Sequence, residues 1–184
     1  HIAKVLHQRS DRKNKPFVNI NCAAIPESLL ASELFRAVPG AYTGVEKEGM
    51  IGKIEAAEGG TLFLDEIFEA APSIQAKLLT FLDDKTYIKV GGHRTEKADV
   101  RIIFATNRKI SEFRKDPGFR EDFYQRISSF LVNIPPLRDR QNDLSKIFHN
   151  CLTDVIQKFS YRVLFVTQDA IHTVKELRWS GNVR

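Results

Sequence analysis

The chain has 184 residues, 42% apolar and 28% charged, with 28 basic against 23 acidic side chains and a net charge of +5. That mix excludes a disordered, collagen-like or low-complexity polypeptide, and a chain this long can bury enough surface to fold without disulfide or metal. No apolar run approaches the roughly 18 residues of a membrane helix, no secretory leader opens the sequence, and Cys22 and Cys151 lack CxxC spacing, so a cytoplasmic domain with reduced thiols is expected.

Ile2, Val5 and Leu6 recur at helical spacing, so the chain opens inside a helix with no capping residue ahead of it. The basic cluster Arg9–Lys15 is interrupted by Asp11 and reads as a solvated loop before it reads as a nucleic-acid patch. Residues 17–22 (FVNINC) alternate and predict a strand; 27–35 (ESLLASELF) predict a helix after Pro26. Residues 39–49 hold Pro39, Gly40, Gly44 and Gly49 and predict a loop, followed by a helix over 50–58 ending at Gly59-Gly60.

Thr61-Leu62-Phe63-Leu64 is apolar without alternation, the pattern of a strand buried on both faces. A helix over 73–83 carries Ile74, Leu78, Leu79 and Leu82 on one side. Residues 87–90 predict a short extended piece and 99–105 a second buried strand ending at Thr106-Asn107. A short helix near 109–115, a helical FREDFYQRI and a strand over 130–134 (FLVNI) complete the alternation. Strands alternating with helices imply a three-layer αβα domain with a mainly parallel sheet. Beyond Pro135-Pro136, residues 143–159 and 167–178 predict two helices and no strand. The domains are therefore placed at 1–138 for the α/β part and 139–184 for a small helical part.

In a parallel sheet, ligands collect outside the carboxyl ends of the strands. Asp65-Glu66 closes the apolar strand there. Two carboxylates in that position can hold Mg²⁺ and orient a water against a phosphate, or simply cap the next helix. Thr106-Asn107 ends a neighbouring strand and can meet the same phosphate, although strand exits are commonly polar. Arg120 and Arg126 can stabilise transferring phosphoryl charge or pair with Glu121 or Asp122 on the surface. At about 100° per residue they stand roughly 120° apart in a helix, so both reach one phosphate only if Arg120 lies at or before the helix start.

GGTLFLDEI (59–67), QAKLL (75–79), VGG (90–92), DVRIIFATN (99–107), FREDFYQRI (119–127), PPLRDR (135–140) and WSGNVR (179–184) occur in one order along the chain. In that ordered set the sequence resembles the central AAA+ domain of bacterial enhancer-binding activators, ATPases that remodel RNA polymerase carrying sigma-54. The resemblance implies ATP and Mg²⁺ as cofactors, a hexamer, the sigma-54 holoenzyme as partner, and DNA binding through a separate domain. It makes Asp65 and Glu66 the Walker B pair, Asp65 the metal partner and Glu66 the base. Thr106 and Asn107 fall at sensor I, and Arg120 and Arg126 match the arginine fingers given to the next subunit. Asn21 matches the switch residue, and Arg184 the nucleotide-contacting sensor II. Gly40-Ala41-Tyr42-Thr43-Gly44-Val45 resembles the GAFTGA sigma-contacting signature.

The sequence also departs from the family pattern. The family's GxxGxGKE phosphate loop falls before His1 in this alignment, and no equivalent occurs within the 184 residues, so this chain alone is expected to hydrolyse ATP negligibly. Val45 stiffens the GAYTGV loop and Pro39 fixes the segment leading into it. Phe68 replaces a glycine after the acidic pair, and Ser180 replaces a proline. Two expectations follow: part of an ATP-driven activator of sigma-54 transcription, or an inactive module that keeps the fold and binds partners without hydrolysis.

Overall fold

The computed structural model describes residues 1–38, 51–113, 116–161, 165–179 and 181–182. The loop Gly40–Val45 and Arg184 lie outside them. The chain divides into two compact units, His1–Phe130 and Leu131–Arg184.

In the first unit a parallel three-stranded sheet has the order β1-β2-β5, formed by β1 (Phe17–Asn21), β2 (Thr61–Asp65) and β5 (Arg101–Phe104). Phe17 pairs with Thr61, Asn21 with Asp65 and Leu64 with Phe104, which sets the carboxyl ends of all three strands level. Side chains alternate across a sheet, so Thr61, Phe63 and Asp65 share one face of β2 while Leu62 and Leu64 share the other. Helix α1 (Ile2–Gln8) covers the first face: His7 bonds Thr61 Oγ1 at 3.0 Å and stacks obliquely on Phe17, which stacks on Phe63.

On the other face Leu62 and Leu64 join a buried cluster. Its members on α-helices come from α2 (Glu27–Phe35), the single-turn α3 (Lys53–Ala56), α4 (Pro72–Asp84), α5 (Ile110–Phe113) and α6 (Glu121–Ile127). Leu30, Leu34, Ile54, Ile74, Leu78, Phe81 and Phe123 are fully buried there. Pro72 opens α4 at its first position, where a missing N–H costs nothing, and Lys85 in the left-handed region closes it. A short α5 (Ile110–Phe113) lies between β5 and α6.

Close backbone approach fixes the start of β2. The N–H of Thr61 donates to Pro16 O, and a Cβ on Gly60 would lie 2.1 Å from that oxygen. Arg12 adds a strap. It grips the Asp99 carboxylate with one guanidinium nitrogen, at 2.7 and 2.9 Å, and donates with another to Gly60 O and Asp99 O. This member of the basic cluster is thus a structural tie between β1, β2 and β5.

Two sequence expectations change, and a third gains a partner. The strand expected over 130–134 is not formed: Phe130 is 95% exposed and Leu131, Val132 and Ile134 are exposed too. Nor is β5 fully buried, its residues being half-exposed; among the described residues no strand lies beside its outer edge, so neither segment gains a second ladder. Instead, the 87–90 piece is one arm of an antiparallel hairpin, β3 (Thr86–Ile88) with β4 (Thr95–Lys97). Tyr87 donates to Glu96, and Lys89 pairs with the same carboxylate at 2.6 Å.

In the second unit α7 (Gln141–Phe159) packs against α8 (Gln168–Glu176). Thr167 caps α8 by accepting from Ala170 N–H, and the Trp179 indole donates to Val174 O.

Candidate nucleotide-hydrolysis site

The site begins with the strand register. Because β2 and β5 run parallel and in step, Asp65-Glu66 and Thr106-Asn107 emerge side by side. Ala105 N–H donates to Leu64 O, and Ile67 N–H returns the bond to Ala105 O, so the two exits are stitched together before the polar residues appear. Asn107 N–H then donates to Glu66 Oε2 at 3.2 Å. The hydroxyl of Thr106 accepts from Arg108 N–H and so closes its own turn.

Glu66 adopts φ 52°, ψ 46°, a left-handed conformation that costs a non-glycine residue on the order of 1 kcal/mol. Asp65 Oδ1 accepts the Glu66 N–H across this bend. Both carboxylates are half-buried at the strand end. Cys22 lies on the neighbouring strand exit, where burial first, then the carboxylate of Asp65 and more weakly that of Glu66, push its thiol up to about 11.

Asn21 pairs in register with Asp65, but its side-chain oxygen caps the following turn by accepting from Ala23 N–H at 2.9 Å. The carboxylate of Glu66 is held by the Asn107 backbone, and no Asn21–Glu66 hydrogen bond exists among the described residues.

Arg120 stands at the cap of α6, one residue before the helix, with an extended backbone (φ −71°, ψ 130°). That is the placement which frees its side chain from the helical spacing to Arg126. Its guanidinium holds Asp122 through Nε at 3.0 Å and Nη2 at 2.7 Å. Arg126 pairs with Asp83 at 3.0 Å and donates to Leu82 O. Both arginines are exposed and spend their charge on nearby exposed carboxylates, interactions of small energy in water.

Two residues near the site, Arg108 and Gln75, have roles that motif reasoning did not assign. Arg108 lies 3.9 Å over the Phe68 ring and pairs with Asp116 and Glu69, bridging the exits of β2 and β5. Phe68 itself is buried, stacked on Phe119 and edge-on to Phe113, so the aromatic that replaces the family's glycine is absorbed into packing. Gln75 is wholly buried; its amide nitrogen donates to Ala70 O and Gly118 O, and its oxygen accepts Arg120 N–H at 2.8 Å. The visible signal for Gln75 is a polar residue on the apolar stripe of the 73–83 helix.

Among the described residues no group of three or more His, Cys, Asp or Glu converges, so there is no closed metal cage. One or two oxygen donors at a strand end fit Mg²⁺, which usually keeps waters and substrate phosphates as its other ligands.

The profile of the sigma-54 interaction domain matches residues 1–133. The chain belongs to the sigma-54 interaction domain family. Within that family's range of relatives, a Nif-specific regulatory protein of Azotobacter vinelandii is 45% identical over 183 residues, covering 100% of this chain and 35% of the relative. The regulatory protein LuxO of Vibrio cholerae is 43% identical over 183 residues, again covering 100% of this chain and 34% of the relative. The crystal structure of NtrX from Brucella abortus in complex with ATP superposes with a TM-score of 0.86 at 31% identity, covering 99% of this chain and 39% of NtrX. The chain thus spans about a third of the length of the curated relatives it matches. Parallel sheet, flanking helices and these neighbours make this sigma-54 interaction domain a three-layer α/β AAA+ fold. Among the described residues no helix is long and apolar enough to cross a membrane.

Proposed function

We propose that the chain is the working part of a bacterial, cytoplasmic transcription activator that uses ATP hydrolysis to remodel sigma-54 RNA polymerase holoenzyme. The observation that carries this reading is the Asn107 N–H bond to Glu66 at the joined exits of β2 and β5. It aims a carboxylate and a polar turn at one point outside the strand ends, where a phosphate chain would lie.

In this reading Glu66 accepts a proton from the water that attacks the γ-phosphate, and the Asn107 bond holds the carboxylate toward that water. Asp65 holds Mg²⁺, directly or through water; when bound, the ion neutralises phosphate charge. Thr106 and Asn107 sense the γ-phosphate, and Asn21 takes over the Glu66 carboxylate in another nucleotide state. Arg120 and Arg126 exchange their exposed carboxylate partners for the phosphoryl charge of the next subunit in a hexamer. Arg184 reaches the nucleotide, and Gly40-Ala41-Tyr42-Thr43-Gly44-Val45 touches sigma-54. DNA is bound by a separate domain.

The test is ATP hydrolysis by the chain joined to a GxxGxGKE segment directly before His1. Hydrolysis with the parent sequence, and nucleotide binding without turnover for Glu66→Gln, supports the assignment. Turnover at the parent rate by Glu66→Gln removes Glu66 from its role. Sigma-54 binding without hydrolysis in the joined protein instead supports a second reading, an inactive partner-binding module.

A further inference from the structure

Burying a primary amide is costly unless its hydrogen-bonding groups are used. Gln75 uses both donors and its acceptor on three backbone groups, one in the turn just before its own helix and two in the segment leading into α6: Ala70 O at 2.7 Å, Gly118 O at 3.0 Å and Arg120 N–H at 2.8 Å. Ala70 ends the turn that follows Asp65-Glu66, and that turn is anchored to the β5 exit through Ile67 N–H and Ala105 O. One side chain therefore spans from the acidic pair's turn to the arginine that precedes α6.

Arg120 has two holds. Its guanidinium grips Asp122 in water, where solvent screening leaves an exposed pair little net energy. Its backbone is held by Gln75, whose side chain is shut off from solvent, so that losing the partner leaves a polar group unsatisfied in the interior. The backbone hold is the stronger, and it leaves the guanidinium free to change partners.

We propose that Gln75 is a positioning residue for Arg120: it locks the cap of α6 to the turn after Glu66 and so sets where the Arg120 guanidinium can reach. The proposal rests on the reading of Arg120 as a group that meets phosphoryl charge. Gln75 touches no substrate and acts only through that arginine.

The test is a double-variant cycle in the hydrolysis-competent full-length protein, measuring kcat and the KM for ATP. Gln75→Met lowers kcat by about 10-fold or more, since small displacements of a charge-stabilising group have large effects on rate, and leaves KM within about threefold. Gln75→Glu recovers most of the rate, because a carboxyl buried there stays protonated and still accepts from Arg120 N–H while donating once. In an Arg120→Ala background, Gln75→Met costs less than about twofold more. If Gln75→Met does not fold, Gln75→Asn, one methylene too short to span the three groups, takes its place in the same cycle.

Equal losses in both backgrounds, or a rise in KM that accounts for the whole effect, overturns the positioning role while leaving Arg120 in place. An unchanged kcat for Arg120→Ala instead overturns the reading of Arg120 and this proposal with it.

Discussion

Arg120 and Asp122, two residues apart, form a two-pronged ion pair at the start of α6, through Nε at 3.0 Å and Nη2 at 2.7 Å. The hydrogen bonds from Arg120 hold the Asp122 carboxyl below its ordinary range, helped by the Phe123 N–H. A carboxyl whose pKa is lower folded than unfolded favours folding above the unfolded value of about 3.9, and that contribution fades as pH falls through the lower folded value. Titration of the Asp122 side chain by NMR is therefore expected to give a midpoint below about 3.9 that moves up towards the ordinary value in Arg120→Ala, where the Phe123 N–H bond remains. An unshifted midpoint in the parent chain would show that the pair does not persist in solution.

Glu66 occupies a left-handed bend at the end of β2. Glycine takes that conformation without the Cβ penalty. Glu66→Gly and Glu66→Ala both lose the carboxylate that accepts the Asn107 N–H, and the glycine variant is expected to withstand urea better than the alanine variant by about 1 kcal/mol. A glycine variant no more stable than the alanine one would mean the bend is not strained.

Gly59 and Gly60 are adjacent but differ in what restricts them. A Cβ at Gly60 meets Pro16 O at 2.1 Å, backbone that cannot yield. At Gly59 the constraint is a φ of +69°, with the nearest atom 3.9 Å away on the flexible Lys15 side chain. Gly60→Ala is expected to cost about 3 kcal/mol and Gly59→Ala about 1 kcal/mol. Thermal and urea unfolding of the two variants distinguish them, and equal costs would contradict the close approach.

Cys22 is buried beside the acidic pair and Cys151 is exposed on α7. A thiol that ionises only near pH 11 is also a poor nucleophile at neutral pH. Maleimide at pH 7.5 is expected to modify Cys151 within minutes and Cys22 only after unfolding, as mass spectrometry of peptides from native and denatured protein would show. Because the raised pKa penalises the folded thiolate, stability falls as pH climbs past the unfolded value of about 8.5. Rapid labelling of Cys22 in the native chain would contradict its burial.

Much of this architecture was legible in the residues. FVNINC, TLFLD and the 73–83 stripe carry periodicities that local structure obeys, and they form β1, β2 and α4. The pairing of Asp65-Glu66 with Thr106-Asn107 followed from their place at the ends of two apolar runs, because parallel strands in step must deliver their exits together. What was not legible depended on neighbours. FLVNI has every local mark of a strand, yet a strand requires a ladder partner. Thr95–Lys97 is too polar to announce itself and forms β4 only because β3 offers one. Gln75 entered the sequence reading only as the first residue of QAKLL, and its role was hidden because two of the three groups it satisfies lie more than forty residues away. The sequence could suggest that Arg120 precedes its helix; only the fold could supply the buried anchor that holds it there.

The uncharged stretch Ser128–Pro136 has a colloidal consequence. It leaves aromatic and branched side chains in water with no lysine or glutamate to discourage contact between molecules, and among the described residues β5 has an edge with no strand beside it. Concentrated solutions of the isolated polypeptide are expected to scatter light increasingly with time, and replacing Val132 by lysine is expected to keep them clear.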